Sequence, residues 1–298
     1  MHKKTYIILL IIVIAIFLAV FLTFIQSDPS PEKVDQPDEQ SSEEISEEDS
    51  TEESEEIEEQ NTISQNIQDG VKEVIDALNF FKKDTHIVAI GDSLTQGVGD
   101  ETDNQGYVGI LEDRLNEQDY DVTFDNFGKR GNRTDHLLKR LNEEPEITES
   151  LEKADMVLIT IGANDIMQIM KDNFMNLTEE PFMQEREPYG DRLSEIFEYI
   201  LSVNPETDIY LLGFFNPFEK YFGDIKALEQ ILTRWSNKSL EVTNQYEQVN
   251  YIPMQDIYQN ETENVFAEDH FHPNSKGYEL IAERVITYLE NEIQEAQN

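Results

Sequence analysis

From about residue 64 onward the chain alternates short apolar runs with stretches of helical period, and this pattern most restricts its fold. Residues 86–91, 121–127, 155–161, 208–215 and 248–252 have strand character. The third, DMVLITI, is nearly all apolar and stops at Gly162-Ala163-Asn164-Asp165. A short Ile/Val-rich run of this kind suits a strand buried on both faces. Between the runs, apolar residues recur at helical spacing over 67–81, 105–118, 133–142, 189–203, 224–246 and 275–292. In 67–81 they are Ile67, Val71, Val74, Ile75 and Leu78; in 105–118 they are Tyr107, Ile110, Leu111 and Leu115. Strand–helix alternation over this length predicts one α/β domain, 64–298, whose mostly parallel sheet is covered on both faces. No internal repeat is visible.

The first quarter of the chain reads differently. Residues 6–25 form an uninterrupted apolar stretch without charge, Gly or Pro. Twenty such residues match the length of helix that crosses a bilayer core of about 30 Å. A cleaved signal peptide has a shorter apolar region ending at small residues. Here the exit is Thr23-Phe24-Ile25-Gln26-Ser27, so an uncleaved transmembrane signal anchor is expected. Lys3 and Lys4 precede it, which places residues 1–5 in the cytoplasm and the remainder outside the cell membrane. Residues 26–63 are expected to be a disordered acidic linker: 28–59 hold 16 Asp and Glu against Lys33 alone. Such a segment has too little apolar surface to offset the entropy of ordering.

The whole chain carries a formal charge of −41, and the globular part is strongly acidic on its own account. That argues against nucleic-acid phosphates or an anionic membrane surface as ligands. The absence of cysteine excludes a lipid-modified cysteine, disulfides, thiolate metal sites and a cysteine nucleophile. For a chain outside the cell membrane, it fits a bacterial surface.

Residues 87–99, IVAIGDSLTQGVG, put Ser93 at the carboxyl end of a predicted buried strand, where open α/β sheets bind ligands. A serine there becomes a nucleophile only with a base. Of five histidines, His2 lies on the cytoplasmic side, His86 starts a strand and His136 lies on a predicted helix. His270 and His272 lie in the polar segment Asp269-His270-Phe271-His272-Pro273. A spacing of three residues lets Asp269 reach the His272 ring in a turn, leaving the far nitrogen for Ser93. Asp269 is the immediate neighbour of His270, so His272 is the better base. Pro273 would help to hold the ring. Two further loops, Asn126–Asn132 and Gly162–Asp165, follow strands and offer N–H donors for a developing oxyanion.

These four blocks resemble those of the GDSL, or SGNH, hydrolase family over about residues 85–290. The resemblance is narrower still to the membrane-anchored, lipase/esterase-like members of Gram-positive bacilli. It implies a flavodoxin-like three-layer α/β/α sandwich with a five-stranded sheet. It further implies Ser93 as nucleophile, Asp269 and His272 as orienting acid and base, and an oxyanion hole formed by Ser93, Gly131 and Asn164. The activity implied is serine ester hydrolysis of lipase or esterase type, with no metal or organic cofactor. The segment Gly91-Asp92-Ser93-Leu94-Thr95-Gln96-Gly97 lacks the G-x-S-x-G elbow, so a looser loop is expected around Ser93.

Other readings are weaker. Gly91, Gly97 and Gly99 fit neither G-x-G-x-x-G nor the P-loop spacing. Asp269, His270 and His272 as metal ligands of a phosphoesterase or deacetylase would need further ligands, and only His86 and His136 remain. A catalytically silent binding module has no support, because every expected catalytic group is present. The substrate is an ester, either a small or lipid ester or an O-acetyl group on cell-wall polysaccharide. Met167, Met170, Phe174, Met175, Phe182 and Met183, with Phe214, Phe215, Phe218, Tyr221 and Phe222, are candidate walls of an acyl pocket.

Overall fold

The computed structural model describes residues 85–102, 104–117, 121–176, 178–217 and 226–296. The expected anchor, the acidic linker and the predicted helix 67–81 lie outside these residues. Among the described residues, no helix is long and apolar enough to cross a membrane.

Five strands form one parallel sheet: β1 Thr85–Gly91, β2 Val122–Gly128, β3 Met156–Thr160, β4 Asp208–Leu212 and β5 Val249–Ile252. Their spatial order is β2-β1-β3-β4-β5. This is the flavodoxin-like order, in which successive connections run outward in opposite directions from β1 and β3. The crevice between the carboxyl ends of those two strands is the switch point where ligands bind. β3 is buried along its whole length, as its unbroken apolar run requires.

Helices cover both faces. α1 is the single turn Ser93–Gln96, and α2 (Tyr107–Asn116) packs against α8 (Ser275–Ala296). α3 (Thr134–Glu143), α6 (Glu180–Val203) and α7 (Lys226–Thr243) pack together, with the short α4 (Pro145–Leu151) beside them. α5 (Ala163–Asp172) leaves the end of β3 and is followed by a 3₁₀ turn, Phe174–Asn176. Tyr107 and Tyr278 are fully buried in the first layer, and Phe182, Tyr189, Phe197 and Trp235 in the second. The Tyr189 and Trp235 rings lie 4.7 Å apart, and the indole N–H donates to the Phe182 carbonyl at 3.2 Å. Buried aromatics of this size dominate core energetics once their polar atoms have partners.

The structure differs from the sequence-based expectation in several places: α4 was not anticipated, and β4 ends at Leu212 and not at 215. α6 begins at Glu180, not near 189, because burial of Phe182 carries the helix through Pro188. α5 replaces what was expected to be loop after Gly162. Ser93 opens a helical turn and not a loose loop, because Asp92 caps it and Gly97, at φ 80°, closes it.

Candidate active site

Ser93, Gly131 and Asn164 follow the carboxyl ends of β1, β2 and β3, and the segment before α8 brings His272 to Ser93 across 179 residues. The local backbone at Ser93 is narrowly determined. Gly91 has φ 150°, and a Cβ there would overlap the Thr160 carbonyl oxygen of the neighbouring strand. Only glycine lets β1 and β3 close up immediately before the serine. Asp92 then accepts from the Leu94 N–H at 3.0 Å and from the Thr160 hydroxyl at 2.9 Å, which fixes the turn carrying Ser93. Thr160 is joined in turn to the Thr95 hydroxyl at 2.7 Å, and Thr95 to the Tyr107 hydroxyl at 3.1 Å. Burial drives the Asp92 carboxyl up to about 6, against the hydrogen bonds from Leu94 and Thr160.

Ser93 Oγ lies 2.9 Å from His272 Nε2, and His272 Nδ1 lies 2.5 Å from Asp269 Oδ2. The other Asp269 oxygen accepts from the backbone N–H groups of Phe271 (3.0 Å) and His272 (2.9 Å). Three N–H groups therefore converge on one carboxylate. Burial raises the Asp269 carboxyl, but the hydrogen bond and charge of His272 and these two amides outweigh it, holding the group at about 2. An ionised Asp269 bound to Nδ1 selects the tautomer whose Nε2 lone pair faces Ser93. Ser93 and His272 are buried, so the hydrogen bond between them is shielded from bulk water. His270 is exposed and turns through the left-handed region at φ 54°.

Asn164, in the first turn of α5, donates its side-chain N–H to the Asn132 carbonyl at 3.0 Å. That bond ties the two candidate oxyanion loops together. Gly131 sits at φ 76°, a conformation that glycine adopts without strain, and space around its Cα is open. Among the described residues, no group of three His, Cys, Asp or Glu is arranged to hold a metal ion.

A narrow cleft, open to solvent, starts at Ser93 and Asn164 and is walled mainly by apolar side chains. Met167 and Met170 of α5, Phe214 and Phe215 beyond β4, and Leu228 and Leu232 of α7 line it. Of the candidate acyl walls, Phe182 lies in the core and Met175 is largely exposed. Phe218, Tyr221 and Phe222 lie outside the described residues. Leu228 and Leu232 were missed by sequence reasoning, although their i,i+4 spacing on a helix marks them as one face.

A parallel sheet in this order, with Ser, His and Asp hydrogen-bonded at its switch point, defines a carboxylic-ester hydrolase of the SGNH type. The chain belongs to the GDSL-like Lipase/Acylhydrolase family, whose profile matches residues 89–280. It is 34% identical to the protein YpmR of Bacillus subtilis over 217 residues, 71% of this chain and 84% of that protein. It is 29% identical to the spore germination lipase LipC of Bacillus licheniformis over 205 residues, 66% of this chain and 92% of the lipase. The crystal structure of the lipase Lip_vut3 from a goat rumen metagenome superposes with a TM-score of 0.58 at 25% identity. It covers 68% of this chain and 96% of that one.

Proposed function

We propose that this chain is a serine ester hydrolase of lipase or esterase type, working outside the cell membrane through an acyl-enzyme on Ser93. The Ser93–His272–Asp269 hydrogen-bonded chain is the observation that carries this reading. His272 Nε2 takes the hydroxyl proton as Ser93 Oγ attacks the ester carbonyl, and Asp269 stabilises the imidazolium that forms. The backbone N–H groups of Ser93 and Gly131 and the second side-chain N–H of Asn164 receive the oxyanion. His272 returns its proton to the leaving alcohol, water enters along the same path, and the acid is released.

The apolar cleft beginning at Ser93 favours an ester with an acyl chain of several carbons over an O-acetyl group. The external location rests on the apolar run 6–25 preceded by Lys3 and Lys4. The test is hydrolysis of p-nitrophenyl acetate, butyrate and octanoate by the purified domain, with fluorophosphonate labelling. Labelling and hydrolysis of all three esters are expected to disappear in Ser93→Ala. Unchanged hydrolysis in that variant removes Ser93 as nucleophile. Octanoate is expected to exceed acetate in kcat/KM; a steady decline with chain length returns the polysaccharide O-acetyl reading. Protease added to intact protoplasts is expected to digest the domain, and full protection refutes the external location.

A further inference from the structure

The two loops assigned to the oxyanion hole leave different strands, β2 and β3, whose last residues, Gly128 and Thr160, both pair with Gly91 of β1 between them. A side-chain network spans the gap, buried at Thr134 and Asp165 and half-buried at Arg192. α3 begins at Thr134, and Arg133, in its cap position, makes no capping side-chain bond. The cap comes from another helix: Asp165 of α5 accepts the Thr134 backbone N–H at 3.0 Å and the Thr134 hydroxyl at 2.6 Å. Arg192 of α6 closes the ring, donating Nε to the Thr134 hydroxyl at 2.7 Å and Nη2 to Asp165 at 3.2 Å. Thr134 is fully buried and Asp165 is 5% exposed.

One residue before Asp165 and two before Thr134, a second pairing forms at the site itself. Asn164 donates to the carbonyl of Asn132, the residue after Gly131. A carbonyl only accepts, so this bond settles which amide atom faces it and frees the second N–H for another acceptor. Two adjacent residues of α5 thus grip the segment that leaves Gly131.

We propose that Asp165 is a positioning residue for the oxyanion donors, joining the start of α3 to the start of α5 so that the Gly131 amide and the Asn164 side chain keep a fixed separation. The proposal rests on the acyl-enzyme reading above. Burial raises the Asp165 carboxyl in spite of Thr134 and Arg192, and an ion pair with one partner buried and the other half-exposed adds little stability compared with apolar packing. What it supplies is geometry, and oxyanion donors act only when they are already in place.

The test compares wild type with Thr134→Val, which keeps side-chain shape but removes the shared hydroxyl, and with Thr134→Ser, which keeps it. kcat and KM are measured on p-nitrophenyl butyrate, with thermal melting alongside. A slowly released cinnamoyl group is then trapped on Ser93 and its carbonyl stretch read by infrared difference spectroscopy. Thr134→Val is expected to lower kcat about ten- to a hundredfold, the scale of a weakened oxyanion donor, with KM within about twofold. Its carbonyl band moves to higher wavenumber as hydrogen bonds to the oxygen lengthen, and Thr134→Ser restores both. Asp165→Asn, read the same way, carries the test should the valine variant not fold. A lower melting temperature with unchanged kcat and band position overturns the proposal and leaves the network a purely structural role. Ester hydrolysis in wild type without any acyl group on Ser93 overturns the acyl-enzyme reading, and this proposal with it.

Discussion

Replacing Asp269 by asparagine separates what the carboxylate does for chemistry from what it does for the fold. The side chains are nearly the same shape, so the Asn oxygen can still accept from the Phe271 and His272 backbone N–H groups, now at 3.0 and 2.9 Å. The other end changes from acceptor to donor. An NH₂ group at the position of Oδ2 requires His272 Nδ1 to accept, which moves the ring proton to Nε2. Nε2 then donates toward Ser93 Oγ and cannot receive its proton. We expect kcat to fall on the order of 10³–10⁴-fold, or about 4–5.5 kcal/mol of transition-state stabilisation, with little change in KM.

The stability cost is smaller. Asp269 is held at about 2 instead of 3.8 and its side chain is 15% exposed. At 1.36 kcal/mol per pH unit, the ionised form gains about 2 kcal/mol in the fold. Because the folded value is depressed, this stability is present above pH 3.8 and disappears as pH falls through about 2. The assay is p-nitrophenyl butyrate hydrolysis at pH 7.5, with urea unfolding of both proteins at pH 7.5 and pH 3. A folded Asp269→Asn variant retaining more than about a tenth of wild-type kcat would refute the tautomer argument.

Two further substitutions probe the neighbouring groups. Asn164→Ala removes one oxyanion donor and strips the Asn132 carbonyl of its partner; steady-state kinetics should show kcat reduced about 10²–10³-fold with KM nearly constant. Asp92 has its folded value raised to about 6, so the stability it contributes is present below pH 3.8 and is lost as pH rises through about 6. Asp92→Asn, which can still cap Leu94, should therefore raise urea-derived stability by up to about 3 kcal/mol at pH 8 and leave it nearly unchanged at pH 3.5. Equal shifts at both pH values would show that Asp92 is not ionised at a cost in the fold.

Local information and spatial information divide unevenly along this chain. The run from Met156 to Thr160 announces a fully buried strand, and it is one, because a strand with no polar face can only lie inside a covered sheet. Asp269 and His272 were paired from sequence because a three-residue turn brings them together without help from the rest of the molecule. Helical periodicity predicts only 189–203 of α6, whereas in the fold the helix runs from Glu180 through Pro188 with Phe182 buried in the core. Phe182 was also misplaced in function, as periodicity reveals an apolar side chain but not which cavity it faces.

From the residue pattern alone came the fold class, the parallel sheet, the family, and the assignments proposed for Ser93, Asp269, His272, Gly131 and Asn164. The fold class and the Asp269–His272 pair follow from periodicity and short-range spacing, and the roles of Gly131 and Asn164 from the resemblance of their blocks to those of the family. Only the tertiary structure decided that Asp165 caps α3 through Thr134, that Asp92 is buried beneath the serine turn, and that Leu228 and Leu232 wall the cleft. Each of those contacts joins segments 30 or more residues apart or selects one helix face over another. Such choices depend on how separate elements pack, and packing is a property of the assembled layers and not of any stretch of chain.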